Sequence, residues 1–153
     1  MGKVLVAAAG DELDHEAVRE ALALLGPDHE YVFLTVYQGV VPALMGDGGL
    51  AGSMPLADDA AFVELETSAR ESGEHRMQQM LEALGLKGTA RAESGDPGER
   101  ICSVAVDEGA DLIVMGSHHT GALRRLLGGS VADDVAHHAP CPVLLTRHGA
   151  SQK

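Results

Sequence analysis

The stretch from Leu112 to Ala132 contains no acidic residue and carries Arg124 and Arg125, in a chain that is otherwise strongly acidic. Over 153 residues there are 11 Lys and Arg against 23 Asp and Glu, a net charge of −12. A small anion would meet its most favourable potential along that stretch. It also runs through Gly128-Gly129-Ser130 into a segment of helical period. At a helix start the backbone N–H groups lack partners and the positive end of the dipole points outward, which suits a phosphate. Glycines let the main chain approach phosphate oxygens with no side chain between, and the Ser130 hydroxyl can either cap the helix or donate to a ligand. The competing reading is an ordinary glycine turn into a capped helix, with Arg124-Arg125 as solvated surface.

Other chemistries fit the residues poorly. His118-His119 and His137-His138, with Cys141 near the second pair, offer zinc-ligating types. Adjacent residues point in different directions, however, and the usual zinc spacings are absent. Gly128-Gly129-Ser130-Val131-Ala132 departs from the hydrolase G-x-S-x-G pattern at its last position. Its serine follows a helical turn where a nucleophile elbow needs a strand, and His137 on the same helix cannot fold back onto it. The phosphate-binding lysine of a P-loop is missing, since no lysine occurs between Lys87 and Lys153. No catalytic residue is expected, and any ATP turnover should be slow and incidental.

Composition narrows the class further. A hydrophobic share of 45% over this length fits one compact domain, expected at 1–148 with a short tail at 149–153. Tyr31, Phe33, Tyr37 and Phe62 are the only aromatics, too few for stacking platforms on single-stranded nucleic acid. The acidic balance repels phosphate backbones and anionic membranes alike, so neither is an expected partner. Cys102 and Cys141 lack C-x-x-C spacing and are too few for a disulfide framework, which points to a reducing cytoplasm. The apolar run Val4 to Ala9 follows Lys3 but is ended by Asp11 and Glu12, too early for a signal peptide. Val6 breaks a myristoylation motif at Gly2, and no apolar stretch approaches membrane-spanning length.

The elements that must position these residues follow from periodicity. Strand-length apolar runs alternate with segments of helical period, the pattern of an α/β domain whose parallel sheet is covered on both faces. Strands are predicted at about 3–9, 31–37, 89–93, 112–116 and 142–146. The first helix spans about Asp14 to Leu25 and stops at Gly26-Pro27, and the second spans about 58–84, carrying Phe62, Leu65, Met77, Met80 and Leu84. The third opens on Asp96-Pro97-Gly98-Glu99, a cap with Pro at the first helical position, and ends at Gly109. The fourth starts at Ser130 and stops before Pro140. Residues 38–57, with five glycines and two prolines, read as a long loop that could act as a lid. In a doubly wound sheet of order 3-2-1-4-5, ligands sit beyond the carboxyl ends of the strands where the order reverses, and the acid-free loop follows the fourth strand.

Several phrases resemble the universal stress protein family. Leu112-Ile113-Val114-Met115-Gly116-Ser117-His118, Gly121, Leu126-Leu127, Gly129-Ser130-Val131 and Ala139-Pro140-Cys141-Pro142-Val143-Leu144-Leu145 are similar to the C-terminal half of such domains. Gly95-Asp96-Pro97 and Glu108-Gly109-Ala110-Asp111 are similar to earlier family phrases, and the likeness in element order spans nearly the whole chain. The resemblance implies a five-stranded doubly wound parallel sheet, Rossmann-like and ordered 3-2-1-4-5. It implies ATP or a related adenine nucleotide as ligand, with or without Mg, and a homodimer formed through the last strand, Pro142 to Thr146.

Residue by residue, the resemblance puts Met115 and Gly116 near the ribose, Gly129, Ser130 and Val131 at the phosphates, and Val36 against the adenine. Ala7 and Ala9 fall beside the nucleoside at the end of the first strand. Two positions depart from the family pattern. His119 replaces its second glycine, so an imidazole must turn away from the phosphates, crowd them, or add positive charge when protonated. Ala9 stands where ATP-binding relatives place an Asp, and Asp11, two residues on, is the nearest substitute or cation holder. Two functions therefore compete: a nucleotide-binding stress-response or regulatory module without strong catalysis, and a nucleotide-independent dimer that docks another protein and whose ATP site has decayed.

Overall fold

The computed structural model describes residues 2–8, 12–37, 59–116 and 131–146. In chain order these form β1 (Lys3–Ala7), α1 (Glu12–Leu25), β2 (Glu30–Tyr37), α2 (Asp59–Ala83), β3 (Gly88–Ser94), α3 (Pro97–Glu108), β4 (Leu112–Gly116), α4 (Val131–His138) and β5 (Val143–Thr146). All strand pairs are parallel, in the order β3-β2-β1-β4-β5. The expected α/β class, strand count and order are those observed.

Strand alternation divides the core into two layers, because successive side chains leave opposite faces. Val4, Val6, Tyr31, Phe33 and Val114 face α1 and α2, where they meet Val18, Leu22, Met77, Met80 and Leu81. Leu5, Val32, Leu34, Ile113 and Met115 face α3 and α4, where they meet Ile101, Val104, Val131 and Val135. Near-continuous apolar strands are thus explained by burial on both sides. Tyr31 carries a polar atom into this core and satisfies it by donating its hydroxyl proton to the Gly26 carbonyl.

Element boundaries shift by small amounts. β1 ends at Ala7 rather than at residue 9: the Ala8 N–H still reaches the Leu34 carbonyl at 3.0 Å, but the ladder to β4 stops one residue earlier. α1 begins at Glu12, two residues ahead of the expected Asp14. β5 begins after Pro142, whose missing N–H excludes it as a ladder donor although its carbonyl accepts from Ile113 at 3.0 Å. α3 starts as expected: the Asp96 side chain accepts from the Glu99 amide, Pro97 occupies the first turn, and the helix closes on Gly109 in the left-handed conformation.

Within α2 only the C-terminal half carries the core. Met77, Met80 and Leu81 are buried, whereas Leu65 is 53% exposed. A helix of 25 residues is roughly 37 Å long while a seven-residue strand spans roughly 23 Å, so the first turns of α2 overrun the carboxyl end of the sheet. The expected loop at 38–57 and the tail at 149–153 lie outside the described residues.

Candidate functional site

The sheet reverses its winding between β1 and β4, and the candidate residues lie towards the carboxyl ends of its strands. Ala7 is the register partner of Met115 across this junction and of Leu34 on the other side. Gly116, the last residue of β4, pairs with Thr146 on β5, whose buried hydroxyl donates to the Met115 carbonyl at 3.3 Å. Val36 lies near the end of β2, opposite Glu93 on β3. Met115 and Val131 are buried in the layer facing α3 and α4, and the half-buried Ala7 and Val36 pack against that same layer. Four of the residues singled out from sequence therefore share one face and one end of the sheet. Ala9, His119, Gly129 and Ser130 lie outside the described residues, as do Asp11, His118 and the Arg124-Arg125 pair.

α4 begins with Val131, which is buried in the same layer as Met115. Asp133 and Asp134 occupy its first turn. They favour the helix by opposing its dipole, and they also weaken its attraction for an outside anion. Asp134 is packed close to α3: a Cβ placed on Gly98 would lie 3.2 Å from the Asp134 Cβ.

His137 and His138 each turn Nδ1 back to a carbonyl of their own helix, Asp133 at 2.7 Å and Asp134 at 2.9 Å. Cys102 and Cys141 are half-buried free thiols, and burial pushes both above the ordinary thiol value. Among the described residues there is no group of three or more His, Cys, Asp or Glu side chains placed to hold a metal ion. Nor is any described helix long and apolar enough to cross a membrane.

Two charged residues, one on β3 and one on α3, escaped sequence reasoning. Glu93 is the cross-strand neighbour of Val36, and Arg100, in the first turn of α3, carries a buried Nε with no hydrogen-bond partner. Neither belongs to a recognisable spacing, and only the juxtaposition of β2, β3 and α3 reveals them.

A doubly wound parallel sheet whose order reverses between β1 and β4, with helices packed on both faces, defines a Rossmann-like α/β domain. The chain belongs to the universal stress protein family, whose model matches residues 1–147. It is 30% identical to Universal stress protein Sll1388 of Synechocystis over 96% of this chain and 98% of that one. Its structure is similar to that of the hypothetical protein MJ0577 of Methanocaldococcus jannaschii, with a TM-score of 0.69, 26% identity and coverage of 98% of both chains. The fold is also shared by a universal stress protein family protein from Arabidopsis thaliana solved with AMP bound, at a TM-score of 0.61 and 19% identity, over 98% of this chain and 94% of that one.

Proposed function

We propose that the crevice at the carboxyl ends of β1 and β4 binds ATP or a related adenine nucleotide, with or without Mg. The chain then acts as a stress-response or regulatory module without strong catalysis. The observation that carries this reading is the convergence of Ala7, Val36, Met115 and Val131 on one face and end of the sheet, at the switch point. Ala7 leaves room for a nucleoside, Val36 and Met115 offer aliphatic contact to a base and sugar, and helix amides supply phosphate donors that do not depend on side-chain identity. AMP in a solved protein of the same fold supports the ligand class. In this reading the protein resides in the cytoplasm and works as a homodimer paired through β5.

Asp133 and Asp134 favour the rival, a nucleotide-independent dimer that docks another protein, because two carboxylates in the first turn of α4 oppose a bound polyphosphate. One experiment decides. Purified protein is denatured, the released small molecules are separated by chromatography, and the apo chain is melted with and without ATP and Mg. Binding predicts a released adenine nucleotide or a raised Tm, since ligand at 100 times Kd stabilises by about 2.7 kcal/mol. Absence of both establishes the rival.

A further inference from the structure

One imidazole joins the carboxyl end of α1 to the amino end of β1. His29 is half-buried in the turn that leads from α1 into β2, with its Nε2 3.1 Å from the Leu25 carbonyl oxygen. Its Nδ1 takes the Gly2 amide at 3.3 Å. The ring stands edge-on to that of Tyr31, with centroids 6.3 Å apart and an interplanar angle of 82°. Tyr31 donates its hydroxyl proton to the Gly26 carbonyl, so two side chains occupy carbonyls that the end of a helix leaves open. No basic residue stands in the last turn of α1 to take that part.

These partners fix the chemistry of the ring. A peptide N–H can only donate, so the Nδ1 facing Gly2 carries a lone pair. A peptide carbonyl can only accept, so the ring proton sits on Nε2. Both contacts are therefore satisfied by a single species, the neutral Nε2–H tautomer. A second proton acts on the two arms unequally. The arm to Leu25 is kept, and it gains from positive charge at a helix carboxyl end. The arm to Gly2 is lost, because Nδ1–H and the amide N–H are then two donors face to face.

The titratable and charged groups on the elements that meet here are Asp28, Glu30 and Tyr31 around the turn, Lys3 on β1 and Asp111 ahead of β4; the last turn of α1, from Leu22 to Leu25, has none. Lys3 Nζ lies 3.5 Å from Glu30 Oε1 and 3.4 Å from Glu108 Oε2, and Asp111 Oδ2 accepts the Lys3 amide at 2.8 Å. The Gly2 carbonyl takes the Glu30 amide at 3.1 Å, a ladder bond with no titrating group in it. Loss of the Gly2 arm thus leaves the register of β1 against β2 in place.

We propose that His29 is an acid-released latch: neutral, it ties the amino end of β1 to the carboxyl end of α1, and on protonation it stays with α1 and lets the Gly2 amide go. The latch lies at the opposite end of the parallel sheet from the crevice and is independent of what the crevice binds.

The test is NMR of the 15N-labelled full chain from about pH 8 to about pH 5, the range in which imidazoles change charge. H29F, which keeps a ring beside Tyr31 but has no ring nitrogen, identifies the His29 signals among those of eight histidines. Near the alkaline end the His29 ring should show a bare Nδ1 and a protonated Nε2. On acidification the Gly2 amide resonance should move with the same midpoint as the ring, and its protection against exchange should fall by about fivefold, the worth of one neutral hydrogen bond. In H29F the Gly2 amide should hold one position and low protection throughout. If H29F does not fold, the titration of the unmodified chain decides alone, with the ring assigned through its contact with Tyr31. A ring protonated on Nδ1 at the alkaline end, or a Gly2 amide that does not follow the ring, overturns the latch. So does a Gly2 amide that titrates unchanged in H29F, since Asp28, Glu30 or Asp111 would then be the group it feels.

Discussion

Ala7 on β1 lies directly opposite Met115 on β4, across the junction where the strand order reverses. Both side chains belong to the layer that faces α3 and α4, one half-buried and small, the other buried and flexible. Space at that junction is therefore set by Ala7. Ala7→Leu should fill the room left for a nucleoside and weaken ATP binding by at least tenfold, a loss of about 1.4 kcal/mol. Calorimetry reads the loss, and a melt without ligand separates it from the cost of overpacking, about 1–3 kcal/mol. Unchanged affinity in a folded variant would place the nucleoside elsewhere.

Gly73 sits in the middle of α2, where an alanine would normally stabilise a helix by about 1 kcal/mol. Here a Cβ would fall 2.8 Å from the Ala92 Cβ on β3 and 3.0 Å from Thr35 Cγ2 on β2. Helix and sheet have closed to a distance that only glycine permits. Gly73→Ala should therefore destabilise the fold, by about 1–3 kcal/mol as an overpacking change. Urea denaturation measures it, and a gain in stability would show that α2 can move off the sheet without cost.

The sequence revealed most where burial and capping act locally. The two-sided apolar strands, the Asp96 cap and the Gly109 stop are each decided by residues within a few positions, and the structure reproduces them. The places of Met115 and Val131 were legible in the same way, since both fall in recognisable phrases next to the strand and helix that hold them. Glu93 was not, because its neighbour Val36 lies on another strand, a relation that no local spacing encodes. Leu65 misled for a similar reason. Its helical period is sound, but α2 outruns the sheet and leaves that turn without a floor.

Glu108 closes α3 and joins it to the sheet through two cations. Its Oε1 accepts from Arg91 Nη1 at 2.7 Å and its Oε2 lies 3.4 Å from Lys3 Nζ, a pairing that also relieves the unfavourable charge at a helix carboxyl end. The hydrogen bond from Arg91, with a further one from Lys3, holds the Glu108 carboxyl below its ordinary value of 4.5. A carboxylate whose pKa is depressed by folding contributes stability above its unfolded pKa and loses it as pH falls through the folded one. Glu108→Gln should therefore cost about 1 kcal/mol at neutral pH, near the upper end for a half-exposed pair. The difference from the unmodified chain should shrink below about pH 4.5 and vanish in stronger acid. Denaturant midpoints measured across that range test this, and a gap that stays constant with pH would assign the effect to packing.

Among the described residues β5 pairs with β4 alone, which makes it the edge strand of the described sheet. Such an edge is a template for another strand unless charge or proline blunts it. Val143, Leu144, Leu145 and Thr146 contain no charge, and Leu145 is 44% exposed although it lies in an apolar strand. Twofold pairing would set β5 against its own copy, covering both its outer edge and Leu145. Size-exclusion with light scattering should then give the mass of two chains at micromolar concentration. Leu145→Lys should convert it to one, because a twofold axis brings the new charges of both copies near the same apolar seam and like charges repel there. A variant that remains dimeric would move the interface off β5, and an unmodified protein that is monomeric would mean the edge is left bare.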